Sequence, residues 1–164
     1  MSKQVAAQRA LDTISTLGGR AEEFRGKWLT LQAFSTEFER RNQRKTLLYT
    51  VVQCIEDDVA EELLKIHSDS IVYLRQNPVG NLALQPTHDN FYANAQRDIT
   101  EVGNVDNTAA QRIGFLLCVI YQVRCNVEHG KKVLGSTRSQ KLFKISNEIL
   151  DSIVELLLKE AQAA

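Results

Sequence analysis

Proline is almost missing from these 164 residues: the two that occur, Pro78 and Pro86, fall in one polar stretch. Proline breaks helices by removing a donor and clashing with the preceding turn, so its absence elsewhere leaves the flanking patterns free to be helical. Cysteine is scarce too. Cys54, Cys118 and Cys125 form an odd set inside apolar helical patterns, without disulfide-scaffold spacing, so free thiols and a cytoplasmic setting are expected. Neither sign of charge is in excess, because 20 Lys plus Arg balance 20 Asp plus Glu. That balance excludes a global basic field for nucleic acid, leaves only local anion sites, and eases self-association. No run reaches the roughly 18 apolar residues of a membrane span, and MSKQVAAQRALDTIS lacks an apolar core of signal-peptide length. Neither membrane association nor export is expected.

What is present reads as an all-α chain, a single domain over 1–164 built as a bundle of about five helices with one long polar loop. A first helix is expected from Lys3 to Leu17, ending at Gly18-Gly19. A second starts near Arg20 or Lys27 and carries Trp28, Leu31, Phe34 and Phe38 at helical spacing. From Arg44 to about Gln76, apolar residues from Leu47 to Ile71 recur every three or four positions, with a kink expected near His67-Ser68-Asp69. The segment from Asn77 to Asp106 is rich in Asn, Gly, Asp and Thr and has no sustained period. A loop of that length is expected to be functional or mobile, with short helical turns around Phe91 to Ile99. Asn107 or Thr108 then caps a helix ending at Gly130, and Ser136 caps a last helix to about Ala161, with Leu142, Ile145, Ile149, Ile153 and Leu156 on one face.

The helix beginning at Thr108 is apolar on every side through GFLLCVIY, as in a helix that is central in a bundle or shared with a partner; in a domain of this size a partner surface is favoured. At about 100° per residue, Ile113, Leu116, Leu117, Ile120, Tyr121 and Val127 share an arc, and Arg124 falls near its middle. Arginine cannot lose its proton to relieve burial, so it needs an anion, a hydrogen-bonded partner or a wet cleft there. His129 follows at the helix end, and Asn126 lies between them. A permanent cation, an amide and an imidazole that titrates near neutrality are equipment for a phosphodiester. The histidine can move a proton at a ribose 2′-hydroxyl or leaving oxygen, and the arginine can stabilise charge on the transition state.

Plainer readings stand beside this one. Arg124 can pair with Glu128 one turn on, and His129 can simply complement the helix dipole. Cys118, Cys125 and His129 lie on neighbouring faces, but one helix alone is a poor zinc site. Glu56, Asp57, Asp58, Glu61 and Glu62 read as a solvated face, since the Glu-x-x-His element of a carboxylate-bridged metal pair is missing. Basic clusters occur at Arg40, Arg41, Arg44 and Lys45, and at Lys131, Lys132, Arg138, Lys141 and Lys144. The second flanks His129, where a phosphate backbone would meet it. His88 and Tyr92 could reach a substrate from the polar segment, although their spacing carries no motif.

The stretch YQVRCNVEHGKK, at the end of an apolar helix and ahead of an amphipathic one, resembles the HEPN superfamily, whose signature is Arg, four to six residues, then His, with a polar residue close behind the Arg. The resemblance covers the motif and most of the two C-terminal helices (about 107–161), roughly Thr108 to Leu158. It implies a helical bundle that dimerises so that two motifs face each other and form a metal-independent ribonuclease site. Arg124 and His129 would be the catalytic pair, Asn126 a supporting polar residue, and Lys131, Lys132 and Arg138 contacts for the RNA backbone. It further implies RNA as substrate, a homodimer, no cofactor or metal, and toxin, phage-defence or RNA-processing roles with a cognate antitoxin or other protein partner. Other members bind nucleotide, RNA or protein without cutting. The tyrosine that one branch carries two residues after the histidine is here Lys131, so its modification is not implied.

Overall fold

The computed structural model describes residues 23–24, 26–29, 52–128 and 137–163, and they form an all-α bundle. Five helices have both ends among them: α1 (Asp57–Ile66), α2 (Ser68–Gln76), α3 (Ala93–Val102), α4 (Ala109–Glu128) and α5 (Thr137–Ala163). They belong to two compact units, one within 47–132 and one drawn from 1–46 and 133–164. Among the described residues no helix is long and apolar enough to cross a membrane. The expected helix from Lys3 to Leu17, the basic cluster at Arg40–Lys45, and Leu31, Phe34 and Phe38 lie outside the described residues.

In the unit within 47–132, the helical stretch expected up to Gln76 is interrupted twice. At Ile55-Glu56 the chain turns extended, with Glu56 at φ −70° and ψ 149°. Asp57 and Asp58 then open α1, where acidic side chains favour the positive helix end. The second break is the expected one: His67, at φ −98° and ψ 16°, separates α1 from α2. The polar 77–106 segment contains more helix than its composition suggests. Ala95, Ile99 and Val102, spaced four and three apart, bury one face of α3.

The start of α4 is fixed three ways. Thr108 Oγ1 accepts the Gln111 N–H at 3.2 Å while Gln111 Oε1 accepts the Thr108 N–H at 2.9 Å, a reciprocal capping box. Asp57 Oδ1 accepts the Ala110 N–H at 3.1 Å, so one member of the acidic run on α1 caps a second helix. Arg112 Nε donates to the Val102 carbonyl at 2.6 Å, covering the end of α3. Asn107, the other expected cap, instead donates to Glu101 from Nδ2, at 3.0 Å to the carbonyl and 2.8 Å to Oε2. The helix so anchored packs against α1 and α3. Successive residues point about 100° apart, so Leu116, Leu117, Cys118 and Val119 sample every side of α4, and all four are buried. The helix is therefore central, and its all-round apolarity does not call for a partner surface.

In the other unit, Phe24, Trp28 and Phe143 form an aromatic core, with the Phe24 ring 6.4 Å from Trp28 and 5.9 Å from Phe143. Lys27 is buried there, and its ammonium bridges Glu23 and Asp151, so the charge is compensated on two sides. Helix α5 buries the expected Leu142, Ile145, Ile149 and Ile153 but also Phe143, Leu150, Val154 and Leu157, while Leu156 is only half-buried. Its apolar face is wider than a single stripe.

Candidate functional site

The last turns of α4 present two polar faces. Arg124 is half-buried, although Leu117, Ile120 and Val127 on the same arc are buried. Partial exposure at this point of an apolar arc lowers the desolvation cost of the charge. One turn before it stands Tyr121, also half-buried. Burial first, then the hydrogen bond with the Cys125 side chain and that thiol's charge, push the Tyr121 hydroxyl from 10.0 up to about 12, with Arg124 pulling it down. The phenol thus stays protonated at neutral pH and serves as a hydrogen-bond donor, not as a base. Tyr121, Arg124 and Cys125 are one polar group at i, i+3 and i+4.

Asn126 faces elsewhere. Two residues from Arg124 is about 200° of helical rotation, so the two side chains leave α4 on opposite sides. Asn126 is buried at 3% exposure and its amide makes three hydrogen bonds. Oδ1 accepts the Leu82 N–H and the Gln122 Nε2, each at 3.1 Å, while Nδ2 donates to the Gly80 carbonyl at 2.8 Å. These bonds hold the root of a loop whose ends meet where the Asn81 N–H donates to the Phe91 carbonyl at 2.8 Å. It is an Ω-type loop over 81–91, closed on itself and pinned to α4. Gly80 belongs to the same lock. A Cβ there would lie 2.2 Å from the buried Phe91 ring, so only glycine lets ring and backbone meet.

His129, Lys131 and Lys132 lie outside the described residues. Arg138 is exposed at the second position of α5, in the unit drawn from 1–46 and 133–164. Of the residues singled out from the sequence, Arg124 and Asn126 share a helix but not a face. Among the described residues, no group of three or more His, Cys, Asp or Glu is placed to hold a metal ion. Tyr121 was readable as a site residue only from its spacing to Arg124 and Cys125, since its ring also fits the apolar arc. No signal in the sequence pairs Asn126 with residues 44 and 46 positions earlier.

No family model, curated protein or solved structure matches the chain.

Proposed function

We propose that the chain is a metal-independent endoribonuclease of HEPN type, in which Arg124 and His129 from two copies surround the scissile phosphate. The observation that carries this reading is Arg124: a permanent cation left half-buried near the middle of an arc whose Leu117, Ile120 and Val127 are buried, beside the half-buried Tyr121. In the reaction His129 takes the 2′-hydroxyl proton, the 2′-oxygen attacks phosphorus, and the bond to the 5′-oxygen breaks. The leaving oxygen receives a proton from an imidazolium, and a 2′,3′-cyclic phosphate remains. Arg124 stabilises the charge that builds on the phosphoryl oxygens. Lys131, Lys132 and the exposed Arg138 suit the RNA backbone. A cytoplasmic toxin or defence nuclease restrained by a protein partner is the setting that agrees with this chemistry.

A second reading has an observation of its own. The motif's polar residue, Asn126, has its amide committed to the 80–82 backbone, as fits a module that keeps the scaffold and binds nucleotide, RNA or protein without cutting. The test is cleavage of labelled single-stranded RNA in EDTA by wild type, His129→Ala and Arg124→Ala. Cyclic-phosphate ends from the wild type, lost in both folded variants, support the nuclease. A folded wild type that leaves varied RNAs intact transfers the weight to the binding module.

A further inference from the structure

Loop 81–91 is built more rigidly than a connector needs. Beyond its closed base and the Asn126 clamp, three turns are chained along it: His88 N–H to Gln85 O at 2.9 Å, Phe91 N–H to His88 O at 3.0 Å, and Ala93 N–H to Asn90 O at 3.2 Å. The Asn81 side chain adds an Asx turn by accepting the Ala83 N–H at 3.1 Å. Yet the tip so ordered covers no core, because every residue from Gln85 to Asn90 is exposed. Backbone order spent on an exposed polar tip is the signature of a presented surface, because ordering a chain that buries nothing costs entropy.

The chemistry of that surface is amide, hydroxyl, imidazole and aromatic. His88 Nδ1 accepts the Asn90 N–H at 3.0 Å, which leaves Nε2–H as the donor of the neutral ring. Tyr92 is exposed beside the buried Phe91, their centroids 4.8 Å apart and planes at 84°. An edge-to-face contact covers at most one face of the tyrosine ring, and Phe91 cannot drift because it lies over Gly80. An accessible aromatic that follows a loop bearing exposed amide side chains suits an unpaired nucleobase: the ring stacks on it, and side-chain amides read its edge. The tip has too little charge to grip phosphate, which separates its task from that of Arg124.

We infer that loop 81–91 and Tyr92 form a base-reading element, with Tyr92 stacking an unpaired base of single-stranded RNA and Gln85, Thr87, His88 and Asn90 hydrogen-bonding to its edge. The inference takes its substrate class from the reading above and adds sequence preference to it. It is tested by fluorescence anisotropy with the full chain and labelled 2′-fluoro RNA homopolymers, which lack the attacking hydroxyl. The wild type should favour one base by about tenfold. Tyr92→Leu and the double variant Gln85→Ala/Asn90→Ala should each weaken that RNA about tenfold and level the preference, while Tyr92→Phe keeps it. Preference unchanged in both disrupted variants overturns the inference, as does a wild type without preference. No RNA binding at all overturns it too and hands the loop to a protein partner. If Tyr92→Leu fails to fold, the double variant decides. Cleavage of ordinary RNA in EDTA is scored separately. Cutting with an unchanged preference sinks the loop alone, and a levelled preference without cutting sinks the nuclease alone.

Discussion

The two polar faces of the last turns of α4 differ in what their groups are doing. On one, Asn126 is buried and its amide closes three hydrogen bonds to Gly80, Leu82 and Gln122. On the other, Arg124, Tyr121 and Cys125 are each half-buried, and the Tyr121 hydroxyl is hydrogen-bonded with the Cys125 side chain. A closed amide that satisfies buried backbone belongs to the fold, whereas a half-exposed cation is the kind of group that the proposed function assigns to an incoming anion. Arg124 and Asn126 stand two residues apart in one sequence motif; the helix places them about 200° apart.

The closed face offers the largest expected effects. Asn126→Ala leaves the Gly80 carbonyl and the Leu82 N–H without their partner, and should cost about 3 kcal/mol in chemical denaturation. It should also release loop 81–91, read as faster amide exchange at Asn81 and Leu82. A loss below about 1 kcal/mol would erase the distinction between the faces. Gly80→Ala comes next. Its methyl would sit 2.2 Å from Cε1 and 2.4 Å from Cζ of a buried ring, so Phe91 or the backbone must move, at about 2 kcal/mol. An unchanged melting temperature would mean that Phe91 does not lock the loop.

The open face should respond the other way. Arg124→Gln keeps most of the stem and should shift stability by less than about 1 kcal/mol, while cleavage falls by about a hundredfold if the guanidinium serves the transition state. A large loss of stability with activity retained would reassign Arg124 to the fold. Carrying Asn126→Ala and Arg124→Gln together measures the separation directly, because residues on opposite faces should add within about 0.5 kcal/mol.

How much of this the sequence carried depended on range. Helical periodicity predicted the all-α class, the His67 break, Thr108 as one of two caps, and the buried line Leu142, Ile145, Ile149 and Ile153. Each rests on contacts within a turn or two, which a local pattern records. The break at Ile55-Glu56 escaped it because apolar spacing continues across that point while one extended residue resets the helix. Helix α3 was legible only as short turns around Phe91 to Ile99, because the exposed Asn94 and Thr100 and the buried Asp98 interrupt the apolar pattern of Ala95, Ile99 and Val102. The candidate site was half-legible for the same reason. A charge in an apolar arc marks Arg124 from the helix alone, whereas the duty of Asn126 is set by a loop more than forty residues earlier.

The smallest effect tests the open face by pH. Tyr121 titrates at about 12 against an ordinary 10.0. Its raised value means that the folded state holds the proton longer than the unfolded chain does. The associated stability is fully present below pH 10 and is lost as pH rises toward 12, because the unfolded chain ionises first. With its partial contact with water allowed for, the contribution is about 1 kcal/mol. Tyr121→Phe removes it, along with the bond to Cys125. The variant should be slightly less stable at pH 7, and its stability should fall less steeply than that of the wild type between pH 10 and 12. Parallel curves for the two proteins would show that the phenol is no more enclosed than a free tyrosine, and the polar group around Arg124 would lose its second member.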